Sequence, residues 1–167
     1  WPKISIYRGR LAYPDNHGSP QNDHHGYTAD KNKRPVEASM TSKAHISGTS
    51  TEVVDVVIVG AGFGGLGMAI KLKESGNDNF VILEKDNEVG GTWRDNSYPG
   101  CACDVQSHMY SFSFEGKPDW SKRYAPWQEI QQYILDTTDK YGLRQHLRFG
   151  QEVVAANFDE STGQWTI

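Results

Sequence analysis

The sequence predicts an α/β fold organised around one βαβ unit, and three observations predict it. An apolar run, Val53-Val54-Asp55-Val56-Val57-Ile58-Val59, leads straight into Gly60-Ala61-Gly62-Phe63-Gly64-Gly65. A stretch with helical spacing follows, placing Leu66, Ala69 and Ile70 on one stripe and Lys71, Lys73 and Glu74 on the wet side. A second apolar run, Phe80-Val81-Ile82-Leu83, then ends on Glu84. Strand, tight turn, helix and parallel strand is the order these residues imply.

The turn itself carries the G-x-G-x-x-G spacing, and its glycines have distinct mechanical tasks. Gly60 allows the sharp turn out of the strand, Gly62 lets a pyrophosphate approach the backbone, and Gly65 lets the helix pack close to the sheet. The helix N-terminus adds unpaired N–H groups and a positive dipole end. Glu84 stands 19 residues beyond Gly65, where a carboxylate can accept hydrogen bonds from both ribose hydroxyls. The same charge repels a 2′-phosphate, which disfavours NADP at this turn and leaves FAD and NAD open. A βα turn without a ligand needs no such register of strand, glycines, helix and terminal acid, so a nucleotide site is the better reading.

Composition narrows the class further. Hydrophobic residues make up 37% of 167, and mean hydropathy is −0.66, low for a chain packed throughout. Up to Ser50 there are seven Lys/Arg against four Asp/Glu; from Thr51 onward there are ten against seventeen. A mildly acidic globular part offers no electrostatic case for nucleic acid. No apolar run approaches the roughly 20 residues that span a bilayer, and no signal peptide is visible. With two cysteines and no glycosylation sequon, a reducing cytoplasmic setting is the default expectation. The chain starts at Trp1 rather than methionine, so a natural start upstream is expected.

Residues 1–51 read as a flexible polar arm, with Ile4–Tyr7 as one short strand candidate. His17, Asp23, His24 and His25 lie within it, but adjacent histidines in a polar stretch are ordinarily solvated, so no metal site is assigned. Lys31, Lys33 and Arg34 are too sparse for a nucleic-acid patch. Residues 52–167 form the folded part. Gly76 suits a left-handed helix stop before Asn77-Asp78-Asn79. The glycine- and proline-containing stretch from Asp86 to Asp104 is expected to be irregular and, given its length, functional. Alternating aromatics across Ser107–Phe114 predict an extended segment. Pro126 opens a helix to about Tyr141 with Ile130, Ile134, Thr137 and Tyr141 on one face, stopped by Gly142. Short strands at Leu147–Phe149 and Val153–Phe158 follow, the latter paired through Asp159–Gly163 with Trp165–Ile167 as a hairpin. A chain that stops inside a hairpin is expected to be truncated.

Gly60–Gly65, Glu84, Gly90-Gly91-Thr92-Trp93, Tyr98-Pro99-Gly100 with Cys103-Asp104, and Ser111-Phe112-Ser113-Phe114 together resemble the class B flavin monooxygenases, most of all the Baeyer–Villiger monooxygenases. The resemblance covers about Glu52 to Ile167 and implies a partial Rossmann-like FAD-binding domain. It implies that Gly60, Gly62, Gly64 and Gly65 cradle the pyrophosphate of FAD and that Glu84 holds its ribose. It places Thr92, Trp93, Arg94 and Asp95 along the flavin side, Cys103 beside the same site, Tyr110 as a further flavin contact and Val153 near the adenine end. Asp104 matches the aspartate that pairs with a catalytic arginine beside flavin and nicotinamide, a pairing that orients the guanidinium in a dry site. Ala102 stands where family members often carry arginine, a departure that tells against nicotinamide contact at that spot.

Taken alone, Trp93 and Tyr110 would be core aromatics, Asp104 a turn cap, His108 structural or solvated, and Cys101 and Cys103 ordinary thiols. The implied activity is NADPH- and O2-dependent oxygenation of a small molecule, a ketone converted to an ester or lactone through a C4a-peroxyflavin. N- or S-oxygenation, a non-catalytic FAD-binding remnant and an NAD-binding dehydrogenase fragment are the alternatives. The single glycine-rich turn implies that the NADPH site, the arginine partner of Asp104 and the family's histidine-containing signature lie downstream.

Overall fold

A computed structural model describes residues 5–13 and 50–167, with residues 5–13, 50 and 51 as backbone only. The βαβ unit is present: β2 (Ser50–Val59), α1 (Phe63–Glu74) and β3 (Phe80–Leu83) follow in order. The two strands run parallel, with Val56 opposite Phe80 and Val59 opposite Leu83. All four β3 residues are buried, as a strand covered on both faces requires. Gly76, at φ +84, ends the α1 region as its type allows.

On the far side of β3 lies β4 (Leu147–Arg148), again parallel, with Ile82 opposite Leu147. The described strands form one sheet in the order β4-β3-β2-β1-β6-β5. Here β1 is Ser5–Tyr13, β5 is Asn157–Asp159 and β6 is Gln164–Thr166. β5 and β6 make the expected antiparallel hairpin, Phe158 facing Trp165.

Helix α3 (Trp127–Lys140) starts after Pro126, whose extended ψ of 157 makes it the capping residue. Ile130, Tyr133, Ile134, Thr137 and Thr138 point inward. Ile130, Tyr133 and Ile134 join Ile58, Leu66, Ile70, Ile82 and Leu143 in a single core cluster. Tyr141 follows the helix as a half-buried residue packed against that cluster.

Several expectations need correction. The short strand expected at Ile4–Tyr7 is present but runs further, as β1 over Ser5–Tyr13, pairing in parallel with β6 through Gly9 opposite Trp165 and Arg10 opposite Thr166. That partner strand lies at the other end of the chain, so local periodicity shows only part of β1. The histidines and basic group of the arm lie outside the described residues.

Ser107–Phe114 is not extended. It forms a 3-10 turn at Ser107–Met109 and a tight turn closed by Glu115 N–H to the Phe112 carbonyl at 3.0 Å. Side chains substitute for a strand ladder there: Ser107 Oγ accepts the Ala125 N–H at 2.7 Å, and the Tyr133 hydroxyl accepts the Phe112 N–H at 2.9 Å. The loop after Glu84 contains a one-turn helix, α2 (Thr92–Asp95). Val153–Ala156 form no strand, because the chain leaving β4 turns to bond Asp86 and Glu84: Gly150 N–H reaches the Asp86 carbonyl at 3.0 Å, and Gln151 N–H the Glu84 carbonyl at 2.9 Å.

Candidate functional site

Where β2 gives way to α1, Gly60 adopts φ +93, a backbone that side-chain-bearing residues rarely take. A Cβ at Gly65 would lie 1.9 Å from the Gly60 carbonyl oxygen, so helix and turn approach as closely as backbone permits. Leu66 N–H is the first in α1 to find a backbone partner, Gly62 O at 3.0 Å. The preceding first-turn N–H groups are left for a ligand.

Glu84 forms one end of the site. It is 4% exposed, and both of its oxygens are anchored. Ala61 N–H donates to Oε2 at 2.8 Å and Asp86 N–H to Oε1 at 3.1 Å. The acid thereby ties the glycine turn to the end of β3. Arg94 reaches the same carboxylate at 3.3 Å, while bonding Asp86 at 2.6 Å, Asp95 at 2.9 Å and the Glu88 carbonyl. Burial draws this guanidinium down, but Asp95, Glu84 and Asp86 outweigh that and hold it above its ordinary value.

The other end is aromatic. Trp93 Nε1 donates to the Tyr110 hydroxyl at 3.1 Å, the two rings meeting edge to face at 5.4 Å. Phe63 packs on Tyr110 at 5.1 Å. Burial pushes the Tyr110 phenol up, and the bond from Trp93 pulls part of the way back. Gly90 and Gly91 lead into Trp93, and Gly90 N–H donates to the Ala61 carbonyl at 2.9 Å, docking this loop on the glycine turn.

A cleft of about 450 Å³ joins the two ends, within the range of small-molecule sites. Of the predicted residues, Gly60, Gly62, Gly64, Gly65, Glu84, Thr92, Trp93, Arg94, Asp95, Tyr110 and Val153 line it together. Cys103 and Asp104 do not. The Cys101–Asp104 segment lies beside the start of α3, with Cys103 N–H on the Ala125 carbonyl at 2.9 Å and Trp127 N–H on the Cys101 carbonyl at 3.0 Å. This alternation buries both free thiols and exposes Ala102 and Asp104. Burial pushes the Cys103 thiol up, the direction of an inert rather than a reactive cysteine. Asp104 is close enough that its charge helps raise Tyr110.

Phe63, Lys85, Gln151 and Glu152 also line the cleft but were not predicted. Phe63 occupies a variable position of the glycine motif. Gln151 and Glu152 arrive only through the path of the chain after β4, which no motif signals. Among the described residues there is no cluster of three metal-capable side chains and no helix long and apolar enough to cross a membrane.

A model of the NAD(P)-binding Rossmann-like domain matches residues 58–125, which include the glycine turn, Glu84 and Trp93. A Baeyer-Villiger monooxygenase of Streptomyces coelicolor is 50% identical over 116 residues, covering 70% of this chain and 22% of that protein. Over this stretch the chain is similar to Baeyer–Villiger monooxygenases. The FAD-binding monooxygenase tazF of Aspergillus terreus is 44% identical over 137 residues, 80% of this chain and 24% of its own. The solved cyclohexanone monooxygenase of Rhodococcus sp. Phi1 bound to NADP+ superposes with a TM-score of 0.61 at 38% identity, covering 65% of this chain and 21% of that one. The chain thus spans between a fifth and a quarter of the length of the curated relatives it matches. The fold is Rossmann-like, as its strand order and these likenesses agree.

Proposed function

We propose that this chain is the FAD-binding part of an NADPH- and O2-dependent flavoprotein monooxygenase of the Baeyer–Villiger type, acting on a small ketone to give an ester or lactone. The observation that carries this reading is the cleft: one continuous groove runs from a buried, anchored acid, past a glycine turn, to an aromatic pair. That sequence of environments matches ribose, pyrophosphate and a flat ring system. The glycine cradle also fits a bulky anion. A Cβ at Gly91 would come within 3.3 Å of Gly62 Cα, so side chains there would fill the space.

The residues fit the cofactor as follows. Gly60, Gly62, Gly64 and Gly65 with the N-terminus of α1 would hold the pyrophosphate. Glu84 would hold the adenosine ribose, and Val153 the adenine end. Thr92, Trp93, Asp95 and Tyr110 would line the flavin side, and Trp93 fixes the Tyr110 hydroxyl so that its own proton is free to be donated. Asp104, exposed beside buried Cys103, would face the catalytic arginine and hold it oriented. FAD, when bound, supplies the oxygen-activating chemistry; the protein positions it and keeps water away. The cyclohexanone in the name of one neighbour supports the ketone, and the NADP+ bound there supports NADPH.

The test is direct. Purified chain mixed with FAD and passed through a desalting column should retain flavin absorbance, with an edge-to-face aromatic pair quenching its fluorescence. The protein at its natural length should then oxidise NADPH faster when cyclohexanone is added. Retention of NAD+ but not FAD would overturn the reading in favour of a dehydrogenase.

A further inference from the structure

We infer that Arg94 is a positioning residue for nucleotide recognition: its guanidinium holds the Glu84 carboxylate in the orientation that accepts the adenosine 2′-hydroxyl. This rests on the FAD reading above and deepens it. Arg94 belongs to α2, whose backbone follows Gly91 at the flavin end, yet its side chain runs back to the opposite end of the cleft. There it meets Glu84 and Asp86 at 3.3 and 2.6 Å and the Glu88 carbonyl, while also pairing with its α2 neighbour Asp95 at 2.8 Å. Its side chain is 15% exposed and that of Glu84 is 5%, so the pair is shielded from solvent.

A carboxylate offers about four acceptor positions. Ala61 N–H and Asp86 N–H occupy two in Glu84, and the Arg94 guanidinium lies 3.3 Å from Oε1 as an ion pair rather than a hydrogen-bond donor, which leaves an acceptor position open to a ribose hydroxyl. Removing the guanidinium would strand a buried charge, which then turns toward water or takes up a proton. Either response removes the acceptor that reads the hydroxyl. Lysine would restore charge but not the planar fork that spans three carboxylates together. Arg94 therefore couples ribose recognition to the helix that borders the flavin end.

Calorimetric titration of the full chain with ADP and with 2′-deoxy-ADP separates this role from a merely structural one. The unaltered protein should prefer ADP by about tenfold, the value of one hydrogen bond to a charged group. In Arg94→Met the preference should fall to about one, and adding Glu84→Gln should lower it no further. Arg94→Lys should keep an intermediate preference. It also serves if the methionine variant does not fold. A uniform weakening of both ligands with the tenfold preference kept, in either variant, overturns the inference and leaves the FAD reading standing. So does an unaltered protein that binds ADP and 2′-deoxy-ADP equally. An unaltered protein that binds neither ADP nor FAD overturns both.

Discussion

The two walls of the cleft are built by different means. The glycine turn from Gly60 to Gly65 takes its shape from residue type: a positive φ at Gly60 and a helix that touches the turn's own backbone at Gly65. The opposite wall, from Gly90 to Tyr110, contains one short helix and is held by residues far away in sequence. Gln131 Nε2 donates to the Val89 carbonyl at 2.8 Å, Cys103 N–H to the Ala125 carbonyl, and Ser107 Oγ accepts from Ala125. One wall is specified where it stands. The other is specified by α3 and the segment leading into it.

The sharpest way to break that comparison is to add single methyl groups to the turn. Gly65→Ala would set a Cβ 1.9 Å from a backbone oxygen that cannot step aside, and 3.3 Å from Ile58 Cγ2. A loss of about 3 kcal/mol or more is expected, read from the denaturant midpoint. Gly62→Ala meets nothing nearer than Gly91 Cα at 3.8 Å. It should cost under about 1 kcal/mol of stability while still obstructing the place proposed for the pyrophosphate. If both variants lost equal stability, the two glycines would share one task and the division between packing and binding would fail.

On the far wall the largest effect should come from α3, outside the cleft altogether. The Tyr133 hydroxyl accepts the Phe112 N–H and donates to the Glu115 carbonyl at 2.7 Å, closing the turn that follows Tyr110. Tyr133→Phe leaves a partly buried N–H and the Glu115 carbonyl without this partner, at a cost of about 2 kcal/mol. Hydrogen exchange at Phe112 and its neighbours should accelerate, whereas amides of the glycine turn should not change. Faster exchange in both places would mean that the walls open together rather than separately.

That contrast also explains what could be read from the sequence. Glu84, the glycines and the stripe of α1 are legible because each is local: a period, a spacing or a charge at a strand end. Ile130 and Ile134 in α3 are legible for the same reason. Ser107–Phe114 misled because alternation of aromatics is shared by strands and by turns whose rings pack on several sides. Here Phe112 stacks on Phe114 at 5.1 Å while its edge fills the space beside Gly67. Gln151 and Glu152 reach the cleft through two backbone bonds made by the chain leaving β4, which carry no residue signature. The full length of β1 depended on a partner strand more than 150 residues away.

Within the far wall, Trp93 and Tyr110 allow a finer test. The indole N–H bonded to the Tyr110 oxygen stabilises the phenolate, opposing the burial that raises this phenol. Trp93→Phe keeps the ring and removes the donor. Tyr110 should then ionise at still higher pH, which an alkaline titration of phenolate absorbance would show, and stability should fall by about 1 kcal/mol. An ionisation moved to lower pH would mean that the Trp93 bond is not what opposes burial.

The smallest effect belongs to a cross-link between the turn that follows this wall and the end of α3, which looks stronger than it is. Lys140 Nζ lies 2.8 Å from both oxygens of Glu115, and the Tyr141 hydroxyl adds a third contact at 3.0 Å. The lysine donates most to holding the Glu115 carboxyl below its ordinary value, against a partial burial that raises it, with Tyr141 assisting. A depressed folded value means that the contribution is complete above the unfolded value of about 4.3 and is lost as pH falls through the folded one. Lys140 is 63% exposed, so water screens the pair and its worth at neutral pH is about 0.5 kcal/mol. Lys140→Ala should therefore shift the denaturant midpoint slightly at neutral pH and not at all once Glu115 is protonated. Added salt should erase the difference as well. A cost rivalling that of Tyr133→Phe would show the wall to be held by charge at its rim, whereas a small one places its hold in the buried hydroxyl.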